Sequence, residues 1–137
     1  MEFIGPIEGQ FILGLALSIL IGLIIGIERE SRGKDAGIST HMMVIGGSMI
    51  FTILSMNVDP DSTSRIASQV VAGIGFLGAG LILKDGASVR NLTTAASLWY
   101  AAALGMAIGF EFYFIAIIGG IAAAVIPRIP SVRRKEG

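Results

Sequence analysis

The 137 residues carry ten Lys and Arg against ten Asp and Glu, yet only 15% of the chain is charged, 53% is hydrophobic and the mean hydropathy is +0.79. A soluble domain carries roughly a quarter charged residues, so this composition is not that of a soluble domain, and a net charge of zero gives no reason to expect nucleic acid as a partner. The absence of Cys removes disulfides and thiolate metal sites.

The charges are spaced rather than scattered. Between consecutive charged residues lie runs of 19 (9–27), 23 (36–58), 18 (66–83), 20 (91–110) and 16 (112–127) residues. A bilayer core about 30 Å thick takes roughly 20 apolar residues of helix, with about 17 to 25 tolerated. The chain is therefore expected to be all-α and polytopic: one domain over 1–137, with five transmembrane helices near 9–27, 40–57, 66–83, 92–110 and 112–127, and no soluble C-terminal domain. Nine of the ten cations fall on one side of this arrangement and only Arg65 on the other. The positive-inside rule puts the nine in the cytoplasm, with the N-terminus outside and the C-terminus inside. The opening Met1-Glu-Phe-Ile-Gly-Pro lacks the basic region of a cleaved signal peptide.

In the first span Gly14, Ser18, Gly22 and Gly26 recur every four residues. They form a small-residue seam that suits either a dimer contact or packing within the subunit. The charged stretch from Glu28 to His41 is expected to be a loop, anchoring topology or offering Glu28 and Glu30 as hard oxygen ligands; Glu28 and Arg32, four apart, can pair if the helix runs on. His41 opens span two, and a lone His is no metal site. Asn57-Val-Asp-Pro-Asp61 breaks the helix on the far side.

Span three holds Gly73-Ile-Gly-Phe-Leu-Gly-Ala-Gly80. The string fits the G-x-G-x-x-G pattern, but a dinucleotide site needs a preceding strand and an acid about 20 residues on. The apolar flanks here favour a membrane helix with Gly73, Gly75, Gly78 and Gly80 as packing positions. With small residues on two faces, this helix is expected at the centre of the bundle. Lys84 to Arg90 makes a short loop, and Asn91-Leu-Thr-Thr94 can cap span four. Its stripe of Thr94, Ser97, Ala101, Gly105 and Gly109 is small and mildly polar. Trp99 is too deep for an interfacial anchor and, with Gln69 and Ser97, is a candidate cavity-lining residue. Phe110, Phe112, Tyr113 and Phe114 suit an aromatic belt at span five.

Four blocks together, Gly26-Ile-Glu-Arg-Glu30, Ala36-Gly-Ile-Ser-Thr-His41, Arg65 through Gly80 and Val89-Arg-Asn-Leu-Thr-Thr-Ala-Ala-Ser-Leu-Trp99, resemble the MgtC/SapB family of bacterial inner-membrane proteins. The resemblance implies a five-span hydrophobic domain of the plasma membrane. It further implies a link to growth at low magnesium and, in some pathogens, to survival inside host cells. The family carries the label of magnesium transporter, and its members are also described as restraining the F-type ATP synthase and other membrane partners. Asn91 stands where the family often has Gly, and many members add an ACT-like cytoplasmic domain after the last span.

The expected spans contain no Asp, Glu, Lys or Arg, whereas carriers hold ions on ionisable groups near the midplane. The leading reading is therefore a non-enzymatic, homo-oligomeric membrane module, a dimer by preference, that contacts other membrane proteins. The alternative is a transporter or channel for magnesium or another small solute. No cofactor is expected; an interaction with magnesium would fall to surface carboxylates, with no firm metal site. A functional patch is expected on the inner face, where Glu28, Arg29, Glu30, Arg32, Asp85, Arg90, Thr93 and Thr94 converge.

Overall fold

Each charge-free run becomes a helix, the form that satisfies every backbone N–H and C=O within one segment when the solvent is lipid. The computed structural model describes residues 4–85 and 88–130, with side chains for all of these except 83–85. Five α-helices follow in order: α1 (Pro6–Ser31), α2 (Ile38–Val58), α3 (Arg65–Leu81), α4 (Leu92–Gly109) and α5 (Tyr113–Val125). The first, second and fourth are each long and apolar enough to cross a membrane, while α3 and the Tyr113–Arg128 segment are shorter apolar helices. Their outward faces leave Ile12, Leu20, Phe51, Phe76 and Phe114 exposed, the surface expected of helices solvated by acyl chains.

The segment from Glu28 was expected to be a loop, but α1 runs on through it. Gly33, at φ +61, ends the helix: its N–H reaches the Glu30 carbonyl (3.0 Å) and that of Lys34 reaches Arg29 (3.0 Å), a Schellman cap that requires a left-handed residue. The two charged positions Glu28 and Arg29 therefore lie in the last helical turn and face inward. A second difference lies between α3 and α4, where the expected loop forms two short antiparallel strands, β1 (Leu83–Asp85) and β2 (Ser88–Arg90), pairing Leu83 with Arg90 and Asp85 with Ser88.

The centre of the bundle belongs to α2 and α4, not to α3. A methyl group on Gly105 would strike the Ile45 carbonyl oxygen, and one on Gly109 would sit 2.8 Å from that of Met49 and 2.5 Å from Thr52 Cβ, so the two backbones touch. On the other side of α2, a methyl on Gly22 would meet Met42 Cα at 2.7 Å, one on Gly26 would strike Ile38 Cα, and one on Gly14 would come within 3.1 Å of Met49 Sδ. Ser18, in the same seam, is buried and donates to the Gly14 carbonyl (2.8 Å). The seam of α1 is thus consumed inside the subunit, which removes it as a dimer contact. Ile21, Ile25, Ile45, Met49, Ile53, Leu104 and Ile108 fill the space between these three helices, and Ala116 and Gly120 seat α5 against them.

Helix α3 lies at the edge. Of its four glycines only Gly78 meets a neighbour, Ala95 of α4; Gly73, Gly75 and Gly80 have nothing within 4 Å of a Cβ position. The reason is that the small residues of α4 face α2, so α4 rather than α3 achieves backbone contact at the centre. Between α2 and α3 an apolar groove of about 490 Å³ stays open, lined by Met43, Phe51, Gln69, Val70 and Leu77.

These two environments predict opposite responses to the same change. Gly26→Ala forces α1 off the α2 backbone and should lower the unfolding free energy by about 1–3 kcal/mol, the usual cost of overpacking. Gly73→Ala meets nothing and should be neutral or gain up to about 1 kcal/mol of helix propensity. Thermal unfolding of the two variants in detergent measures the difference.

Candidate functional site

One end of the bundle gathers the C-termini of α1, α3 and α5 and the N-termini of α2 and α4. The polar residues at that end divide into those that hold the helices together and those that face a cavity.

Glu28 and Arg29 are 3% and 1% exposed. Glu28 Oε1 takes Arg32, one turn on, at 3.2 Å, and lies 4.0 Å from Arg128 Nε beyond α5; Glu28 Oε2 has no hydrogen-bond partner among the described residues. Arg32 also donates to the Pro127 carbonyl, so one carboxylate and one guanidinium tie α1 to the end of α5. Arg29 is different: its Nη2 donates to the Thr94 hydroxyl and to the Asp35 carbonyl (3.5 Å), both neutral acceptors, and its Nε has none among the described residues. Burial of a charge is costly unless pairing or hydrogen bonding compensates it, and here the compensation is incomplete.

Glu30 is exposed and commits one of its two carboxylate oxygens to the start of α2. Its Oε1 accepts the Ile38 N–H (2.9 Å), placing a negative charge on the first turn of α2, where the helix dipole favours it. Asp35 Oδ2 accepts the Asn91 side-chain amide (3.0 Å), which also donates to the Leu81 carbonyl (3.1 Å). Asn91 sits at φ 63, the left-handed region, which Asn tolerates better than most residues. In that conformation its amide clamps the α1–α2 turn to the end of α3 and leaves α4 without a side-chain cap, contrary to the capping role expected of it.

Thr94 is buried beside Arg29, whereas Thr93 is exposed and Arg90 lies on the open face of β2. The side chain of Asp85 lies outside the described residues. Ser97 does not line a cavity: its hydroxyl donates to the Thr94 carbonyl (2.7 Å) and faces His41 Nε2 at 3.2 Å. His41, fully buried, donates from Nδ1 to the Gly37 carbonyl (2.9 Å), so this ring is a strut between α2 and α4. Trp99 is 55% exposed. It shares an outward stripe with Leu92, Ala96 and Ala103, since its neighbour Leu98 takes the inward position; Gln69 alone of the three expected cavity residues lines the open groove.

Below the ion pair lies a cavity of about 760 Å³ whose wall includes Arg29, Arg32, Lys34, Arg128, Thr93 and Thr94. The sequence reading missed Lys34, Asn91 and Arg128 as members of this site. The left-handed position of Asn91 has a sequence signal, an Asn after two strands and before an apolar run; the approach of Arg128 to Glu28, 100 residues away, has none.

The roles separate under mutation. Glu28→Ala removes the buried carboxylate that draws the solvent-open Arg32 and Arg128 together and should cost about 1–3 kcal/mol. Glu30→Ala removes a helix cap and should cost about 1 kcal/mol, while exposed Arg90→Ala should stay within about 0.5 kcal/mol. Unfolding of the three purified variants in one detergent orders them.

Residues 15–132 match the MgtC family. The chain is 48% identical over 99 residues to Protein MgtC of Salmonella typhimurium, covering 72% of this chain and 43% of that protein. It is 40% identical over 129 residues to the Escherichia coli K12 protein named "Putative magnesium transporter YhiD", covering 85% and 59%. A Synechocystis protein, slr0014, is 40% identical over 117 residues, covering 85% and 50%. No solved structure matches. The chain spans about half the length of the curated relatives it matches. On the strength of the family match over most of its length, together with an apolar helical bundle, this is a membrane protein that belongs to the MgtC family.

Proposed function

We propose that this chain is a non-enzymatic module of the bacterial inner membrane that serves magnesium homeostasis by contacting other membrane proteins, the F-type ATP synthase among them. All five helices cross the bilayer, with the Glu28–Arg128 end in the cytoplasm. The observation that carries this reading is how the bundle interior is spent. Its axis is filled by Ile, Met and Leu, and the buried hydroxyls of Ser18 and Thr52 donate to carbonyls one turn back in their own helices, each at 2.8 Å. Such hydroxyls are committed to the backbone, whereas Mg²⁺ sheds water reluctantly and asks for carboxylate oxygen.

The surface offered to partners, a second copy included, is the face of α3 that carries Gly73 and Gly80, two turns apart; neither meets anything within 4 Å of a Cβ position, and Gly73 lines the open groove beside α2. Small residues let transmembrane helices approach closely. The name of the Escherichia coli relative supports a second reading, a carrier of magnesium.

Two measurements separate these readings. In vesicles containing only the purified protein, Mg²⁺ entry should equal that of protein-free vesicles; saturable uptake lost in Glu28→Gln would establish the carrier instead. In native membranes, Gly73→Ile with Gly80→Ile should reduce recovery of co-purifying membrane proteins at least severalfold while leaving thermal stability unchanged. Because the chain has no native Cys, the orientation is open to single-cysteine labelling: Lys34→Cys should react only from the cytoplasmic side and Asp61→Cys only from the outside.

A further inference from the structure

The cavity at the charged end has a chemistry that neither helix packing nor magnesium explains. Four cations, Arg29, Arg32, Lys34 and Arg128, stand on its wall. Among the described residues, the carboxylates that engage or adjoin these cations include Glu28, engaged by Arg32 and Arg128 through one oxygen, and Asp35, whose carboxylate accepts from Asn91. Neither lines the cavity, and a divalent cation placed there would face guanidinium groups. Arg29 is the most deeply buried of the four: the residue is 1% exposed, its bonds go to a hydroxyl and a carbonyl, and its Nε is buried without an acceptor among the described residues. A charged donor left in that state asks for an anionic acceptor.

Three further features select the kind of anion. The N-terminus of the 18-residue helix α4 reaches the same cavity through Leu92, Thr93 and Thr94, and no side chain caps it; the positive end of a helix dipole and its free amides suit phosphate oxygens. The Thr93 and Thr94 side chains add hydroxyls to the wall. The segment after α5 adds the apolar side chains of Ile126, Pro127, Ile129 and Pro130 to the lining, next to Arg128. Guanidinium groups match phosphate geometry in a way that ammonium does not, and apolar lining beside them suits a ligand with a hydrocarbon portion.

We propose that this cavity is a binding site for a phosphate group carried on an organic ligand, held by Arg29, Arg32, Lys34 and Arg128 against the start of α4. Two sources share that chemistry: the headgroup of an anionic phospholipid from the surrounding leaflet, and a soluble phosphate ester. The site is independent of the magnesium reading and stands whether or not the protein carries ions.

The test uses the full chain, purified in a non-ionic detergent and delipidated. Binding of dioctanoyl phosphatidylglycerol, dioctanoyl phosphatidylcholine and glycerol 3-phosphate is followed by thermal shift and by native mass spectrometry. Saturable binding of phosphatidylglycerol that glycerol 3-phosphate does not displace assigns the site to lipid; displacement, or binding of glycerol 3-phosphate alone, assigns it to a soluble ester. Arg128→Gln and Lys34→Gln are chosen because both side chains are exposed. Each should weaken binding about fivefold, the worth of one cation near an anionic lipid, and Arg65→Gln, at the other end of the bundle, should leave it unchanged. Equal affinity for phosphatidylcholine and phosphatidylglycerol, no binding of either anion, or Arg128→Gln and Lys34→Gln binding as the parent does would each overturn the proposal.

Discussion

The structure depends on backbones being allowed to touch. In lipid the hydrophobic effect gives helices no reason to associate, since acyl chains are as apolar as Leu, and association rests on close van der Waals packing. Glycines of α1 and α4 provide it on the two sides of α2: Gly22 and Gly26 against Met42 and Ile38, Gly105 and Gly109 against Ile45 and Thr52. These contacts leave no room for a Cβ, so the three helices are locked in depth and rotation. Everything placed on them is positioned to that accuracy, including the strut from His41 to Ser97.

The charged end follows from that lock. With α1 held against α2 at Gly26, the next turn of α1 carries Glu28 and Arg29 into the gap between α1, α4 and the segment after α5. Glu28 can then gather Arg32 from its own helix and Arg128 from a distant one, and Arg29 can reach Thr94. Glu28 is buried while both of its partners are open to solvent, and pairs whose cation stays in water gain little. The ion pair therefore acts as a registration device: it fixes where the end of α5 lies relative to α1 without being a main source of stability. Among the described residues, its unused oxygen on Glu28 and unused nitrogen on Arg29 mark the place where the packing stops short of satisfying its own polar groups.

How much of this was legible in the sequence depends on the range of the interaction. Charge-free runs gave five helices, and the spacing of Gly14, Ser18, Gly22 and Gly26 identified a packing face, because both signals are local and periodic. The extension of α1 to Ser31 was also written locally, in Gly33, though a charge-run reading assigned those residues to a loop. The strand pair after α3 had its own sign in the Asp85-Gly86 dipeptide, a familiar hairpin signal. What the sequence did not disclose is which of two glycine-bearing helices takes the centre. Helices α3 and α4 both offer small faces, and the choice of α4 is made by the fit of Gly105 and Gly109 to particular atoms of α2. The convergence of Glu28 with Arg128, and the outward turn of Trp99, follow from that choice and are equally non-local.

The same packing divides the molecule's polar chemistry by depth. Hydroxyls that lie within the bundle are drawn to the nearest carbonyl: Ser18 to Gly14 and Thr52 to Ser48. Ser55, near the far end, accepts the Ala67 amide and donates to the Thr63 carbonyl, which fastens α2 to α3 across the turn. The ion pair there, Arg65 with Asp59 at 3.0 Å, is largely open to solvent and contributes little, as exposed pairs do. At the opposite end, among the described residues, one guanidinium, that of Arg29, is both desolvated and left partly unanswered. An electrostatic interaction strengthens as water is removed, so a charged ligand of given size gains most from this chain where Arg29 lies. That asymmetry between two ends of one bundle arises from glycine contacts that carry no charge themselves.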